Sequence, residues 1–192
     1  LVRAGITSGT HAIATALYAL TNSADTLLAV TGHPYDTLQS VIGIKGDEKG
    51  TLKERGVHYT MLPLKDGKID LQALPEALSC HPRLVLLQRS TGYTDRRAFT
   101  VEELEEAITI IKAKSPDSVI FVDNCYGEFT GEREPLEVGA DVIAGSLIKN
   151  PGGGIAVSGG YLAGKKEWIE RCRNQLIAPG LGEDTGLSFG TT

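Results

Sequence analysis

The sequence predicts an α/β protein, a three-layer αβα arrangement around a mainly parallel sheet. Three observations predict it. Short apolar runs of strand type recur along the chain, amphipathic stretches with helix caps separate them, and the runs are apolar throughout rather than alternating,. Strands buried on both faces and joined by helices belong to parallel sheets with covered faces. The 192 residues, 41% hydrophobic and 22% charged, suit one soluble domain with a sizeable core,.

Ser8 or Thr7 can cap a first helix that runs to about Leu20 and ends near Asn22,. TLLAVT at 26–31 reads as a strand, and Asp36 can cap a short helix through Gln39 to Ile42. A strand is predicted over 57–62, a helix from an Asp70 cap to Leu78, and a buried strand over 83–87,. Thr100 and Glu103 form a capping-box pattern whose helix should reach Lys114, with Leu104, Ala107, Ile108 and Ile111 on its core face,. Pro116 and Asp117 turn the chain into a strand over 118–122. Further strands are predicted over 141–144 and 159–163, and a last helix over 165–176. No repeat or low-complexity segment interrupts the series.

Bulk properties narrow the function. A net charge of −5 with no dominant basic patch argues against nucleic acid as a main partner,. No apolar run approaches the ~18 residues of a membrane span and no signal peptide opens the chain. Cys80, Cys125 and Cys172 are an odd number with wide spacing, which fits neither a disulfide framework nor a zinc site and predicts a reducing, cytoplasmic setting,. The start at Leu1 in mid-motif, and the stop at Thr192 just after a Gly-rich stretch at 180–190, predict that residues 1–192 are a fragment of a longer protein. Glycine is enriched at 23 residues, about 12% against a usual ~7%, which favours a site built from backbone loops,.

In parallel sheets ligands bind beyond the carboxyl ends of the strands, and four segments fall there. Thr7-Ser8-Gly9-Thr10-His11 leads into a helix N-terminus, where free N–H groups, a glycine and two hydroxyls can cradle a phosphate; simple capping by Ser8 is the plainer alternative. His33-Pro34-Tyr35-Asp36-Thr37 follows a strand and offers Tyr35 to stack on a flat ring, or only to pack on the surface. Asp123 ends a very apolar strand, where a carboxylate needs a cation or several donors; a protonated pyridine nitrogen is one such cation, and a capping role or a metal the alternatives. No histidine lies nearby and Glu128 stands alone, so a metal has little support. Lys149 sits within an apolar stretch, where it either extends its ammonium to water or serves as an amine nucleophile, and Ser146 in the same turn can add a phosphate hydrogen bond. A phosphate cradle, a stacking ring, a carboxylate for a ring nitrogen and an amine for a Schiff base are the parts of a pyridoxal-phosphate (PLP) site.

SGTHAIATALYAL, TGHPYDTL, FVDNCYGEF and AGSLIKNPGGGIAVSGGY, spread over nearly the whole chain, resemble the aluminium-resistance or methionine gamma-lyase-like family. That family lies among the fold-type I PLP enzymes of cysteine and methionine metabolism. The resemblance implies a Schiff base at Lys149, which also moves protons at the substrate alpha carbon. It implies Asp123 on the pyridine nitrogen, Tyr35 on the ring, and Gly9, Thr10 and Ser146 on the phosphate. It further implies beta- or gamma-elimination from a sulfur-containing amino acid, a homodimer or homotetramer, and about twice this length, with an N-terminal segment and a smaller C-terminal domain.

Thr91 departs from that pattern, which tends to have a second arginine there. Arg89, Arg96 and Arg97 are the remaining anion-binding candidates, with surface solvation as the alternative for each. Cys125 either touches the ring or fills the core, Tyr126 lines the site or packs, and Trp168 packs on the last helix. Of the histidines only His11 has a site address. An aminotransferase or decarboxylase on the same anchors, and a non-catalytic stress-tolerance protein, are the competing readings. A nucleotide-binding module using 152–154 is disfavoured because no Lys-Ser/Thr follows those glycines.

Overall fold

The computed structural model describes residues 5–181. The apolar runs become six strands: β1 (Thr26–Ala29), β2 (His58–Met61), β3 (Leu84–Gln88), β4 (Val119–Asp123), β5 (Val142–Ser146) and β6 (Gly160–Gly164). Five helices join them: α1 (Gly9–Leu20), α2 (Asp36–Ile42), α3 (Leu74–Ala77), α4 (Val101–Lys114) and α5 (Lys166–Leu176). The strands form one sheet in the order β2-β1-β3-β4-β5-β6, parallel except for the antiparallel pairing of β6 with β5.

Successive strand side chains point to opposite faces, and both faces are dry. On one face Leu27, Leu84, Leu86, Phe121 and Val142 pack with Ile13, Leu17 and Leu20 of α1, Leu38 of α2 and Cys172 of α5. On the other, Leu28, Val85, Leu87, Ile120 and Val122 pack with Leu74 of α3 and Leu104, Ile108 and Ile111 of α4. The three-layer αβα prediction therefore holds, and α4 carries the expected capping box, with Glu103 N–H donating to Thr100 and Thr100 N–H to Glu103.

Two caps and one strand start differ from expectation, and in each a carboxylate makes other bonds. Tyr35, not Asp36, occupies the cap of α2, and Asp36 pairs with Lys45 at 2.6 Å. Asp70 accepts from the amides of Gln72 and Ala73 and closes a turn, so α3 begins only at Leu74. Pro75 has no amide hydrogen and is tolerated only in a first turn, which shortens the predicted 70–78 helix to one turn continued by a 3-10 turn over Leu78–Cys80,. Asp141 precedes β5 rather than opening it. Its carboxylate accepts from Ile120 N–H and pairs with Lys112 and Lys165, which holds its pKa below the usual carboxylate range despite burial. Most of the Gly-rich stretch at 180–190 lies outside the described residues.

The neighbours of β1 are β2 on one side and β3 on the other, so successive connections leave β1 in opposite directions. Such a reversal opens a crevice at the carboxyl ends of the strands, and this is where α/β sheets take ligands.

Candidate cofactor site

The crevice is stitched by side chains that follow the strands. Gln88, the last residue of β3, donates its amide N–H to Thr31 Oγ1 at 2.8 Å and accepts at Oε1 from Tyr35 N–H at 2.8 Å. This fixes the 31–35 segment, and with it the Tyr35 ring, over the gap between β1 and β3. Tyr35 hydroxyl lies 3.0 Å from Thr10 Oγ1, which ties the start of α1 to the same gap.

Ser8 caps α1 by accepting from His11 N–H at 3.0 Å. The next residue must be a glycine: a Cβ on Gly9 would stand 2.7 Å from Ser146 Cβ. The helix N-terminus thus lies against the last residue of β5, and its free amides face the region just beyond that strand. We expect Gly9→Ala to lower stability by about 1–3 kcal/mol through overpacking. Adding Ser146→Gly, which removes the clashing Cβ, should restore most of the loss in a thermal melt.

Asp123 ends β4 with 1% of its surface exposed. Its carboxylate accepts from Cys125 N–H at 3.1 Å. Burial pushes its pKa up, and the Cys125 contacts and the Lys149 ammonium offset this only in part. The Cys125 thiol lies between Asp123 and Lys149, and burial together with the carboxylate drives its pKa up to about 12. Lys149 follows β5 in a turn closed by its amide N–H on Ser146 O at 3.3 Å, and its Nζ stands 4.1 Å from the centre of the Tyr126 ring. Tyr126 holds that place with a left-handed backbone, φ 66°.

Thr10, Tyr35, Asp123 and Lys149, from four separate segments, line one cavity of about 240 Å³, with Tyr126 on its wall. Gly9 and Ser146 meet beside it. All six residues singled out by the sequence thus converge on one end of the sheet. The sequence reading did not single out Ser90, Gly92 and Tyr93, which with Thr37 complete the lining. The signal was available, since the loop after β3 sits at the reversal of strand order. His11 does not line the cavity; its ring bonds back to Thr7.

The arginines correct the expectation. Arg89 is 6% exposed and not a surface residue. It donates to Phe99 O, Asn124 Oδ1, Gly127 O and Thr130 Oγ1. Arg96 donates to Ser90 O at 2.5 Å and Arg97 pairs with Glu103, so all three are committed within the fold. Among the described residues no arginine lines the cavity.

Over residues 1–192 the chain matches the family model for methionine gamma-lyase. The chain belongs to the methionine gamma-lyase family. Within that family it is 48% identical over 191 residues to the uncharacterized protein YnbB of Bacillus subtilis, covering 98% of this chain and 45% of that one. It superposes with a TM-score of 0.92 on a carbon-sulfur lyase involved in aluminum resistance from Clostridium novyi, at 46% identity, covering 99% of this chain and 46% of the other. The pyridoxal-5'-phosphate dependent protein YhfS of Escherichia coli shares the fold at a TM-score of 0.69 and 22% identity, over 91% of this chain and 42% of that one. This member of the methionine gamma-lyase family thus spans about half the length of the relatives it matches. Among the described residues no helix is long and apolar enough to cross a membrane.

Proposed function

We propose that this chain holds the cofactor of a PLP-dependent carbon–sulfur lyase acting on a sulfur-containing amino acid, with Lys149 as the residue that carries it. The convergence of Thr10, Tyr35, Asp123 and Lys149 on one cavity is the observation that supports this most. The residues present also fit PLP by their chemistry. Glycine at position 9 lets the start of α1 lie against Ser146, which brings N-terminal amides and the Thr10 and Ser146 hydroxyls together, a donor set that suits a phosphate,. The buried, upshifted Asp123 lacks a full countercharge, which a protonated ring nitrogen would supply,.

When bound, PLP withdraws electrons from the alpha carbon and makes loss of its proton feasible. The protein's part is to place and move protons. Asp123 keeps the ring nitrogen protonated, and burial makes that interaction stronger than in water. The Lys149 amine takes the alpha proton and returns one, and the cation–π contact with Tyr126 sets where it waits,. Tyr35, anchored through its amide and its hydroxyl, presents its ring to the cavity. Gly9, Thr10 and Ser146 hold the phosphate. With every nearby arginine committed, the positive charge that meets the substrate carboxylate is proposed to come from outside the described residues, whether from the rest of the chain or from a second copy in a homodimer or homotetramer.

The test is product analysis with PLP and a panel of cysteine, homocysteine, methionine and cystathionine. Release of a thiol together with a 2-oxo acid and ammonia is expected. Amino-group transfer without thiol release would replace the lyase reading by an aminotransferase.

Asp123→Asn separates structure from function. An acid whose pKa is raised on folding destabilises the fold above that pKa and costs nothing below its unfolded value near 3.8,. Without cofactor the variant should therefore be more stable at pH 7, by about 1 kcal/mol or roughly 2–4 °C in Tm, and this gain should vanish toward pH 4. PLP affinity should fall instead. A variant less stable than the parent at pH 7 would contradict the buried-charge account.

A further inference from the structure

Strand alternation builds a second polar cluster at the same end of the sheet but on its opposite face. Gln88, Asp123 and Ser146 belong to the cofactor side; Arg89 and Asn124, which follow the first two, and Gly145, which precedes the third, belong to the other face,. Glu128 lies on that other side, 4% exposed, and Tyr161 hydroxyl donates to its Oε1 at 2.8 Å. A Cβ on Gly145 would overlap this Glu128–Tyr161 pair, so glycine is what admits it. Glu128 Oε2 is buried and has no hydrogen-bond partner.

Charge in this cluster does not balance. Glu134 Oε2 accepts from Asn124 Nδ2 at 2.8 Å and its Oε1 from Phe129 N–H at 2.9 Å, with the Arg89 guanidinium 3.8 Å away. The Arg89 guanidinium thus stands beside Glu134, and among the described residues no ion pair reaches Glu128. Glu128 and Glu134 both border a cavity of about 350 Å³, together with Asn124 and apolar walls that include Ile143, Leu147, Leu162 and Ala163. Most of the cavity wall is apolar, and its polar lining carries both carboxylates, of which Glu128 has one oxygen, Oε2, without a hydrogen-bond partner.

The geometry points to an organic cation in this cavity: one ammonium or guanidinium on a short apolar stem, donating to Glu128 Oε2. A metal ion does not suit it, since among the described residues no three His, Cys, Asp or Glu side chains gather. Neutral apolar ligands would cover the walls but leave the carboxylate oxygen without a donor, a penalty that a cation removes. The same ammonium can belong to a free amine or to a lysine side chain on a polypeptide. This inference does not rest on the cofactor reading.

Calorimetric titration of the purified protein without PLP tests it, with n-butylammonium, N-acetyl-lysine amide and neutral n-butanol as probes. Saturable binding of one cation per chain is expected, at least tenfold tighter than n-butanol. Glu128→Gln, which keeps the shape and removes the charge, should weaken it at least tenfold, and Ala163→Leu, which narrows the cavity from its wall, should do the same with Glu128 in place. The lysine amide binding tighter than n-butylammonium assigns the site to a polypeptide side chain, and the reverse order to a free amine. Absence of saturable binding to either cation by the folded protein overturns the proposal. So does equal affinity for n-butanol, or binding unchanged in Glu128→Gln.

Discussion

Lys149→Ala is expected to abolish the visible absorption band that the protein, at the length of its relatives, acquires with PLP. Borohydride should fix the cofactor covalently to the parent protein, on the peptide that contains Lys149, and leave the variant unlabelled. Lys149 is half-buried in a turn after β5, and its ammonium meets the Tyr126 ring and the Cys125 thiol and offsets part of the charge of buried Asp123. Its removal should therefore lower the stability of the cofactor-free protein only modestly, by about 1 kcal/mol, through the charge it leaves unoffset on Asp123,. Turnover should fall by at least the 10²–10⁴-fold that a positioned acid–base group contributes, before the loss of the covalent link is counted. A band of unchanged strength in the variant would remove Lys149 from the site, and with it the proposed function. Tyr126→Leu offers a milder comparison, keeping the amine and losing the ring beneath it.

The sheet was legible because β1, β3, β4 and β5 are apolar on both faces, and only a covered parallel sheet accommodates such strands,. The caps at Ser8 and Thr100 were legible for a local reason, since the bonds involved span three residues. Asp36 and Asp70 look like the same signal in sequence, and Asp141 reads as the first residue of a strand. Their carboxylates are drawn instead to Lys45, to the amides of a turn, and to Lys112 and Lys165, and two of these lysines are distant along the chain. Site residues were legible because each sits at a strand or helix end, where chemistry and topology coincide. Arg89 was not. Nothing within ten residues of it in sequence shows that Asn124, Gly127 and Thr130 would fold over its guanidinium, so it read as one exposed arginine among three.

That misreading identifies how the two faces of the sheet depend on each other. Cys125, which touches Asp123 and Lys149, and Tyr126, which lines the cofactor cavity, are carried by the loop after β4, and the same loop turns its other side to Arg89. Tyr126 and Phe129 both adopt left-handed backbone angles, φ 66° and 60°, which non-glycine residues keep only when surrounding contacts hold them,. Arg89 supplies several of those contacts. A side chain on Gly127 would overlap the guanidinium, so the loop is shaped to receive it.

Arg89→Met should therefore be the most destabilising single change among those considered. It keeps the length and apolar stem but leaves Phe99 O, Asn124 Oδ1, Gly127 O and Thr130 Oγ1 without their donor, and Glu134 without its nearest positive charge. Removing one partner from such a buried charged arrangement costs about 3–5 kcal/mol. For a domain of this size each kcal/mol moves Tm by roughly 2–4 °C, so a fall of at least about 6 °C is expected. Arg89→Lys should recover little, because a point charge cannot serve Phe99, Gly127 and Thr130 at once. Adding Glu134→Gln to Arg89→Met should return part of the loss by removing the stranded carboxylate, and the non-additivity in a double-mutant cycle measures that coupling. Amide exchange should quicken first at Gly127 and Thr130, whose N–H groups close the loop on Asn124 O and Gly127 O,. A Tm within 1 °C of the parent, with exchange in this loop unchanged, would show that the loop holds its shape without the arginine.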